Sequence, residues 1–88
     1  MLHNVVHISP EDNVGVALVN IAKGEEIRPS SGPAFRAAED IPYSHKVALE
    51  DIRAGGPVRK YGEEIGYART DILKGGWVHT HNLEIREE

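Results

Sequence analysis

Two histidines near the end of the chain are the residues with the clearest potential for chemistry. His79 and His81 stand two positions apart in a Val-His-Thr-His-Asn stretch over 78–82. Because alternate residues of a strand face the same side, a strand over 77–81 would place the two imidazoles side by side. Two imidazoles fill two of four metal positions, since catalytic metals usually take three protein ligands and leave one position open; a third ligand would come from elsewhere in the chain or from another subunit. The alternative is a pair of surface histidines, because His-x-His is a short pattern.

A second group of reactive side chains lies where His45 and Lys46 follow one another. A lysine can neutralise a carboxylate or a sulfonate, and a histidine can bind the same group or move a proton. On an extended segment the two side chains point to opposite faces, so at most one is expected to line a given site. Lys60, beside a predicted hairpin turn at 61–64, adds a further cation. The alternative for both lysines is a solvated edge position.

Two other features have a structural and a functional interpretation. Carboxylate oxygens in Glu11-Asp12-Asn13 could serve a metal or cap a turn, and the cap is favoured. Trp77 is expected to belong to the core and not to act as a stacking platform. The chain has no G-x-S-x-G nucleophile motif and no phosphate-binding glycine loop, so its reaction does not follow from these residues.

The elements that must position these side chains are organised around an internal repeat of the form apolar-x-x-Gly-x-x-apolar. It occurs three times, at 21–27, 52–58 and 72–78. Asn20, Asp51 and Asp71 precede the three copies. The pattern predicts a single helical or 3₁₀ turn, capped by the preceding Asn or Asp and ended by a glycine in the left-handed conformation. A strand is expected to leave each turn.

Short strand-like segments separated by glycine and proline predict one mostly-β domain, a small barrel or folded-over sheet, over residues 1–88. The predicted strands are 5–8, 13–19, 46–49, 57–61, 65–69, 77–81 and 83–85. Residues 28–40, with two prolines and little periodicity, are interpreted as a loop that is mobile or faces a partner. The alternative is a variable insertion without a role.

Composition limits the classes of partner. The 88 residues carry a net charge of −4, which argues against a nucleic-acid binder. The absence of cysteine excludes disulfides and thiolate metal sites. No apolar run is long enough for a membrane span and no signal peptide is recognised, so a cytoplasmic location is expected. Exposed strand edges on so small a domain favour self-association into a homo-oligomer.

Four stretches in this order resemble the N-terminal SAF-type domain of the altronate and galactarate dehydratase family. They are 12–18, 41–49, 60–66 and 78–83. The resemblance covers about residues 10–83 and implies a SAF-type β-clip fold. The family usually has glycine where this chain has Ser44, and alanine where it has Gly15. Ser44 is therefore expected to alter the turn before His45.

The same resemblance implies a small accessory subunit that completes a β-elimination site together with a large catalytic subunit. The substrate would be a sugar acid or a sulfonated hydroxy acid, and a divalent metal (Fe²⁺, Mn²⁺ or Mg²⁺) would be shared with the large subunit. The implied catalytic residues are His79, His81 and His45, with His79 and His81 also as metal ligands. His45, Lys46 and Lys60 would help to bind the acid group, and Asn82 would hold a substrate hydroxyl. The alternative is a module that binds a sugar acid or a protein without turnover.

Overall fold

A computed structural model describes residues 2–85 as short strands joined by turns. The strands are β1 (Val5–Val6), β2 (Val14–Ala17), β3 (Glu26–Ile27), β4 (Phe35–Arg36), β5 (Lys46–Ala48), β6 (Pro57–Lys60), β7 (Glu63–Ala68), β8 (Trp77–Val78) and β9 (Leu83–Ile85). The described residues contain no helix, and therefore none that could cross a membrane. The prediction of a mostly-β domain is confirmed.

All strand pairs are antiparallel. A four-stranded sheet has the order β1-β2-β5-β8, a three-stranded sheet has the order β6-β7-β9, and β3 pairs with β4. The four-stranded sheet separates two cores, because successive residues of its strands face opposite sides. Val14 and Ala48 pack into the first core, with Val58 of the three-stranded sheet. Ala17 and Val47 pack into the second.

Four tight turns of one design connect these strands, and none of them is helical. Each is a β-turn, over 22–25, 42–45, 53–56 and 73–76, closed by a backbone hydrogen bond of 2.7 to 3.1 Å from its last amide to its first carbonyl. The third residue has positive φ in every copy: Gly24 (87°), Ser44 (67°), Gly55 (84°) and Gly75 (87°). This is the pattern of a type II turn. The prediction of helical or 3₁₀ turns was wrong, since each turn closes after a single hydrogen bond and continues as a strand.

The turns come in two pairs joined by buried isoleucines. Ile21 and Ile41 exchange both backbone hydrogen bonds, at 2.9 and 2.7 Å, and join turns 22–25 and 42–45 into the first turn pair. Ile52 and Ile72 do the same, at 2.8 and 2.7 Å, for turns 53–56 and 73–76, the second turn pair. The resulting pairs bring together segments about 20 residues apart in sequence.

Within each pair, the polar residue before one turn caps the other turn. Its Oδ1 accepts a hydrogen bond of 2.8 Å from a backbone amide across the pair. The capping side chain and the residue whose amide donates to it are Asn20 and Tyr43, Asp40 and Lys23, Asp51 and Lys74, and Asp71 and Ala54. The prediction that Asn20, Asp51 and Asp71 cap their own turns was therefore wrong. Pairing of the turns brings a more distant amide within reach of each side chain.

Residues 28–40 are more ordered than the predicted loop. β4 lies in this segment and pairs with β3. The Ala37 amide donates to the Glu25 carbonyl and the Ala38 amide to the Gly75 carbonyl, both at 2.9 Å. Ala37 is buried in the second core. The stretch 30–34 remains as the exposed connection, and its role toward a partner stays a prediction.

Candidate functional site

Four aromatic rings meet where β8 ends. The Trp77 ring lies 5.6 Å from His45, 5.5 Å from His79 and 5.0 Å from His81, measured between centroids. The Trp77 and His79 rings are stacked at an angle of 7°. His45 and His79 are also in contact, with centroids 4.7 Å apart. The structure thus brings all three predicted catalytic histidines together around one tryptophan.

The two neighbouring histidines lie on a turn, so the strand predicted over 77–81 was wrong beyond Val78. The Asn82 side chain bends the chain here: its Oδ1 accepts from the His79 amide at 3.0 Å, and its Nδ2 donates to the Trp77 carbonyl at 2.8 Å. Asn82 is buried. Its amide therefore shapes the turn that carries His79 and His81, and the predicted contact with a substrate hydroxyl stays a prediction.

Trp77 is the centre of the ring cluster, and it is firmly held. It packs against the second core, as its expected core position requires. Its amide donates to Glu39 Oε2 at 3.0 Å, and β8 pairs with β5 in a register that places Trp77 opposite Val47. Its indole Nε1–H donates to His45 Nδ1 at 3.0 Å. Sequence reasoning missed this polar contact, because it joins residues 32 positions apart.

Lys46 occupies an unusual place for a charged residue, in a central strand of the four-stranded sheet. Its register partners are Val16 on β2 and Val78 on β8, and alternation puts its side chain on the same face as Ala48. The residue is half-buried. Burial, followed by the nearby charge of Lys60, lowers the pKa of Lys46 from its usual value. The ammonium group is therefore held where its charge is poorly solvated.

Lys60 approaches from the three-stranded sheet, at the tip of the β6–β7 hairpin. Its Nζ lies 4.8 Å from the centroid of the Tyr61 ring, a cation–π contact. Glu63 is its register partner. The two ion pairs found over residues 2–85, Arg28–Glu26 and Arg69–Glu84, include neither Lys60 nor Lys46.

His79 responds to charges on both sides of the sheet edge. Burial lowers the pKa of His79, and the neighbouring His45, Lys46 and His81 lower it further. The expectation that at most one of His45 and Lys46 lines a site was therefore wrong. β8 is the edge strand, and His79 follows its end, where its ring contacts that of His45, the residue directly before β5. We call His45, Lys46, Lys60, His79 and His81 the His/Lys cluster.

The hairpin that carries Lys60 is clamped by Asp12. The turn at Tyr61 and Gly62 has positive φ at both residues (57° and 75°), as a type I′ turn requires. The buried Asp12 carboxylate accepts hydrogen bonds from the amides of Tyr61 (2.9 Å), Gly62 (2.7 Å) and Ser9 (3.2 Å). These bonds confirm the predicted turn cap. The turn capped includes the hairpin tip some 50 positions away in sequence, which a local pattern does not indicate.

Asn13 continues this clamp along β6. Its Nδ2 donates to the Pro57 carbonyl and its Oδ1 accepts from the Arg59 amide, both at 2.8 Å. Asn13 is buried. Asp12 and Asn13 together fix the three-stranded sheet against the four-stranded one, and thereby set where Lys60 lies relative to Lys46.

The donor set of the cluster does not by itself suit a metal ion. Over residues 2–85 no group of three or more His, Asp, Glu or Cys side chains is arranged to hold a metal. His45 Nδ1 is already bonded to the indole. The two lysine ammonium groups would repel a cation. His79 and His81 remain as two ligands, and a metal shared with a second chain stays a prediction.

Comparisons with known proteins place the chain beside a group of lyases. A family model described as the altronate/galactarate dehydratase SAF domain matches residues 3–86. Altronate dehydratase of Escherichia coli (strain K12) is 43% identical over 77 residues, which are 88% of this chain and 15% of that enzyme. The (2R)-sulfolactate sulfo-lyase subunit alpha of Chromohalobacter salexigens is 31% identical over 88 residues, or 93% of each chain. The subunit of the same name from Paracoccus pantotrophus is 50% identical over 50 residues, 57% of this chain and 75% of that subunit.

Proposed function

Because the chain belongs to the altronate/galactarate dehydratase SAF-domain family, we propose that it is a small accessory part of a hydroxy-acid lyase. In this proposal a large catalytic chain supplies most of the active site, and the His/Lys cluster binds the acid group of the substrate. The reaction is a β-elimination that releases water or sulfite. The near full-length match to one sulfo-lyase alpha subunit, that of Chromohalobacter salexigens, supports a role as a separate small chain.

The observation that carries this proposal is the half-buried charge of Lys46, which forms no ion pair over residues 2–85. A half-buried ammonium group with no carboxylate partner costs stability, and that cost is offset when an anion binds beside it. Lys60 lies close enough to affect the pKa of Lys46. Two neighbouring cations, neither of them in an ion pair within the described part of the chain, favour binding of a carboxylate or a sulfonate.

The same charges suit the electron flow of an elimination. When a proton leaves the carbon next to a carboxylate, negative charge develops on the carboxylate oxygens, and cations already in place stabilise it. His79, whose lowered pKa keeps it neutral at pH 7, can accept that proton in a site without a metal on its ring nitrogen; where His79 holds the metal, a base of the large chain accepts the proton. The C–H electron pair forms the double bond. Sulfite then leaves as an anion, or hydroxide leaves with a proton supplied by the large chain.

A divalent metal belongs to this proposal as a group shared between chains. His79 and His81 would be its ligands from this chain, and the remaining ligands would come from the large one. When bound, such a metal supplies Lewis-acid stabilisation of the developing charge. Metal content of the assembled complex, compared with a His79→Ala/His81→Ala double variant, tests this part separately.

The proposal is tested by assembling the chain with the large lyase chain of its own genome and assaying altronate, galactarate and (2R)-sulfolactate. We expect turnover of one substrate only when both chains are present, and loss of turnover with intact assembly in the His79→Ala/His81→Ala variant. Lys23→Met, which removes an exposed lysine outside the cluster, is the matched control. Full activity of the isolated chain would contradict the proposal. Unchanged turnover in the double variant would instead support a binding module without catalytic residues.

A further inference from the structure

We propose that Trp77 is a positioning residue that fixes His45 as a hydrogen-bond donor toward the bound acid group. The inference deepens the proposed function, and the identity of the ligand as an acid rests on it. The indole Nε1–H has no acceptor capacity, so the atom that it meets 3.0 Å away, His45 Nδ1, must be the acceptor. A neutral imidazole with an unprotonated Nδ1 carries its proton on Nε2. His45 therefore presents an N–H group.

The surroundings hold Trp77 in the orientation that this role requires. The indole packs against the second core, and its backbone is bonded on both sides, by Glu39 at its amide and by Asn82 at its carbonyl. The His79 ring stacks on it almost in parallel, at 7°. Rotation of the indole away from His45 would break this packing, so the donor is fixed before any ligand binds.

The consequence for the ligand is specific. With Nδ1 occupied and Nε2 protonated, neutral His45 has no free lone pair for a metal ion, but it has one donor for an oxygen. The Lys46 ammonium follows in sequence and offers further donors. A carboxylate or a sulfonate has the several acceptor oxygens that two such donors need. His45 thus belongs to the acid-binding part of the cluster, while His79 and His81 keep their ring nitrogens for other roles.

Nitrogen-15 NMR of the histidine side chains in the isolated chain, above pH 8, reads the tautomer directly. We expect the Nε2–H form for His45 and a mixture of both forms in Trp77→Phe, which keeps a ring but lacks the N–H group. The Nδ1–H form in the native chain, or an unchanged tautomer in Trp77→Phe, would overturn the inference. Neither reading depends on lyase activity, so the proposed function can fail while this inference stands.

A second pair of variants keeps the inference testable if Trp77→Phe does not fold. His45→Gln retains an N–H group near the place of Nε2, whereas His45→Asn places its amide near Nδ1. With (2R)-sulfolactate and galactarate as probes, in a calorimetric titration of the assembled complex, we expect His45→Gln to bind within a few-fold of the native chain. We expect His45→Asn to lose about 10-fold or more, the usual effect of one hydrogen bond to a charged group. Equal losses in the two variants would overturn the assignment of Nε2–H as the donor.

Discussion

The first and second turn pairs share one backbone design, yet only the first carries a member of the His/Lys cluster. Both turns of the second pair have glycine at their third and fourth positions, 55–56 and 75–76. In the first pair, turn 42–45 has Ser44 and His45 at those positions, and Ser44 still adopts a φ of 67°. The repeat is therefore a scaffold, and the copy that departs from it is the one that presents a reactive side chain. Such local departures from a rule are expected at functional sites.

The greatest loss of stability is expected at one of the two turns of the second pair, when alanine replaces its positive-φ glycine. A Cβ on Gly75 would lie 2.5 Å from the Arg36 carbonyl oxygen, whereas a Cβ on Gly55 meets nothing within 4 Å. Gly75→Ala should therefore cost about 3 kcal/mol of unfolding free energy, from backbone strain and overpacking together. Gly55→Ala should cost about 1 kcal/mol from strain alone. Urea unfolding of both variants measures the difference, and equal losses would show that contact with residues 36–38 contributes nothing.

Removing the reciprocal caps singly and together tests whether the two turns of a pair stabilise each other. Asp51→Ala and Asp71→Ala should each cost about 1 kcal/mol, as the loss of a cap usually does. Since these two caps serve one pair, the double variant should deviate from additivity. Asp40→Ala combined with Asp71→Ala, which affects both pairs, should be additive and serves as the control. Additivity in both combinations would mean that the turns are capped independently.

Ser44→Gly would give both turns of the first pair a glycine at the third position, as both turns of the second pair already have. Serine at a φ of 67° carries strain that glycine does not, so the variant should be more stable by about 1 kcal/mol. Thermal unfolding measures the gain. Gly24→Ser, the reverse change at the equivalent position of the partner turn, should lose a similar amount. A destabilised Ser44→Gly variant would show that the serine side chain itself contributes to the turn.

A smaller change in stability is expected at Lys46, the residue that follows turn 42–45. Lys46→Met should raise the unfolding free energy at pH 7 by about 0.5 kcal/mol, because it removes a poorly solvated charge that is still half exposed. Lys23→Met should change little. Sulfate at millimolar concentration should stabilise the native chain more than it stabilises the Lys46→Met variant, because sulfate binding depends on the Lys46 ammonium group. An equal response to sulfate would place the anion elsewhere.

The pH dependence of Lys46→Met follows from the direction of the pKa shift. Because the pKa of Lys46 is lowered in the folded chain from its usual 10.5, the unfolded chain binds more protons between the two values. Stability should therefore rise with pH through that window, reaching its full value above 10.5. The rise should be smaller in Lys46→Met. A parallel pH profile in both chains would contradict the assigned burial of the ammonium group.

The sequence predicts the parts of the fold that depend on local patterns. Alternating apolar residues indicate β2, and the Tyr61-Gly62 turn indicates the hairpin between β6 and β7, because φ preferences and strand alternation are properties of neighbouring residues. Three of the four turns are marked by glycine. The fourth does not follow from the repeat, because Ser44 stands where the other copies have glycine; only the family resemblance indicated a turn before His45, and Ser44 leaves its type unchanged. β4 was missed because two residues are too few to show periodicity.

The site could be predicted only as a set of residues. Reactive side-chain types identify His45, Lys46, Lys60, His79 and His81, and the structure brings these into one cluster. Their geometry depends on contacts between distant segments. The Asn82 amide turns the chain after Val78, and the indole of Trp77 reaches His45 across the β5–β8 pair. No spacing rule for a single strand contains such contacts, so the arrangement of the rings could not be derived from the pattern.

Reciprocal capping also has a consequence for how the chain folds. A cap of this kind cannot form until the two turns of a pair have met, and the capped amides lie 17 or 23 residues from their side chains. Closing a chain segment of that length costs about 2.7 kcal/mol in entropy before any cap or isoleucine bridge offsets it. The two caps of each pair therefore form together, in one cooperative step. In the first pair, formation of these caps also fixes the backbone at His45. The first step toward an ordered ring cluster is therefore a folding step between segments far apart in the chain.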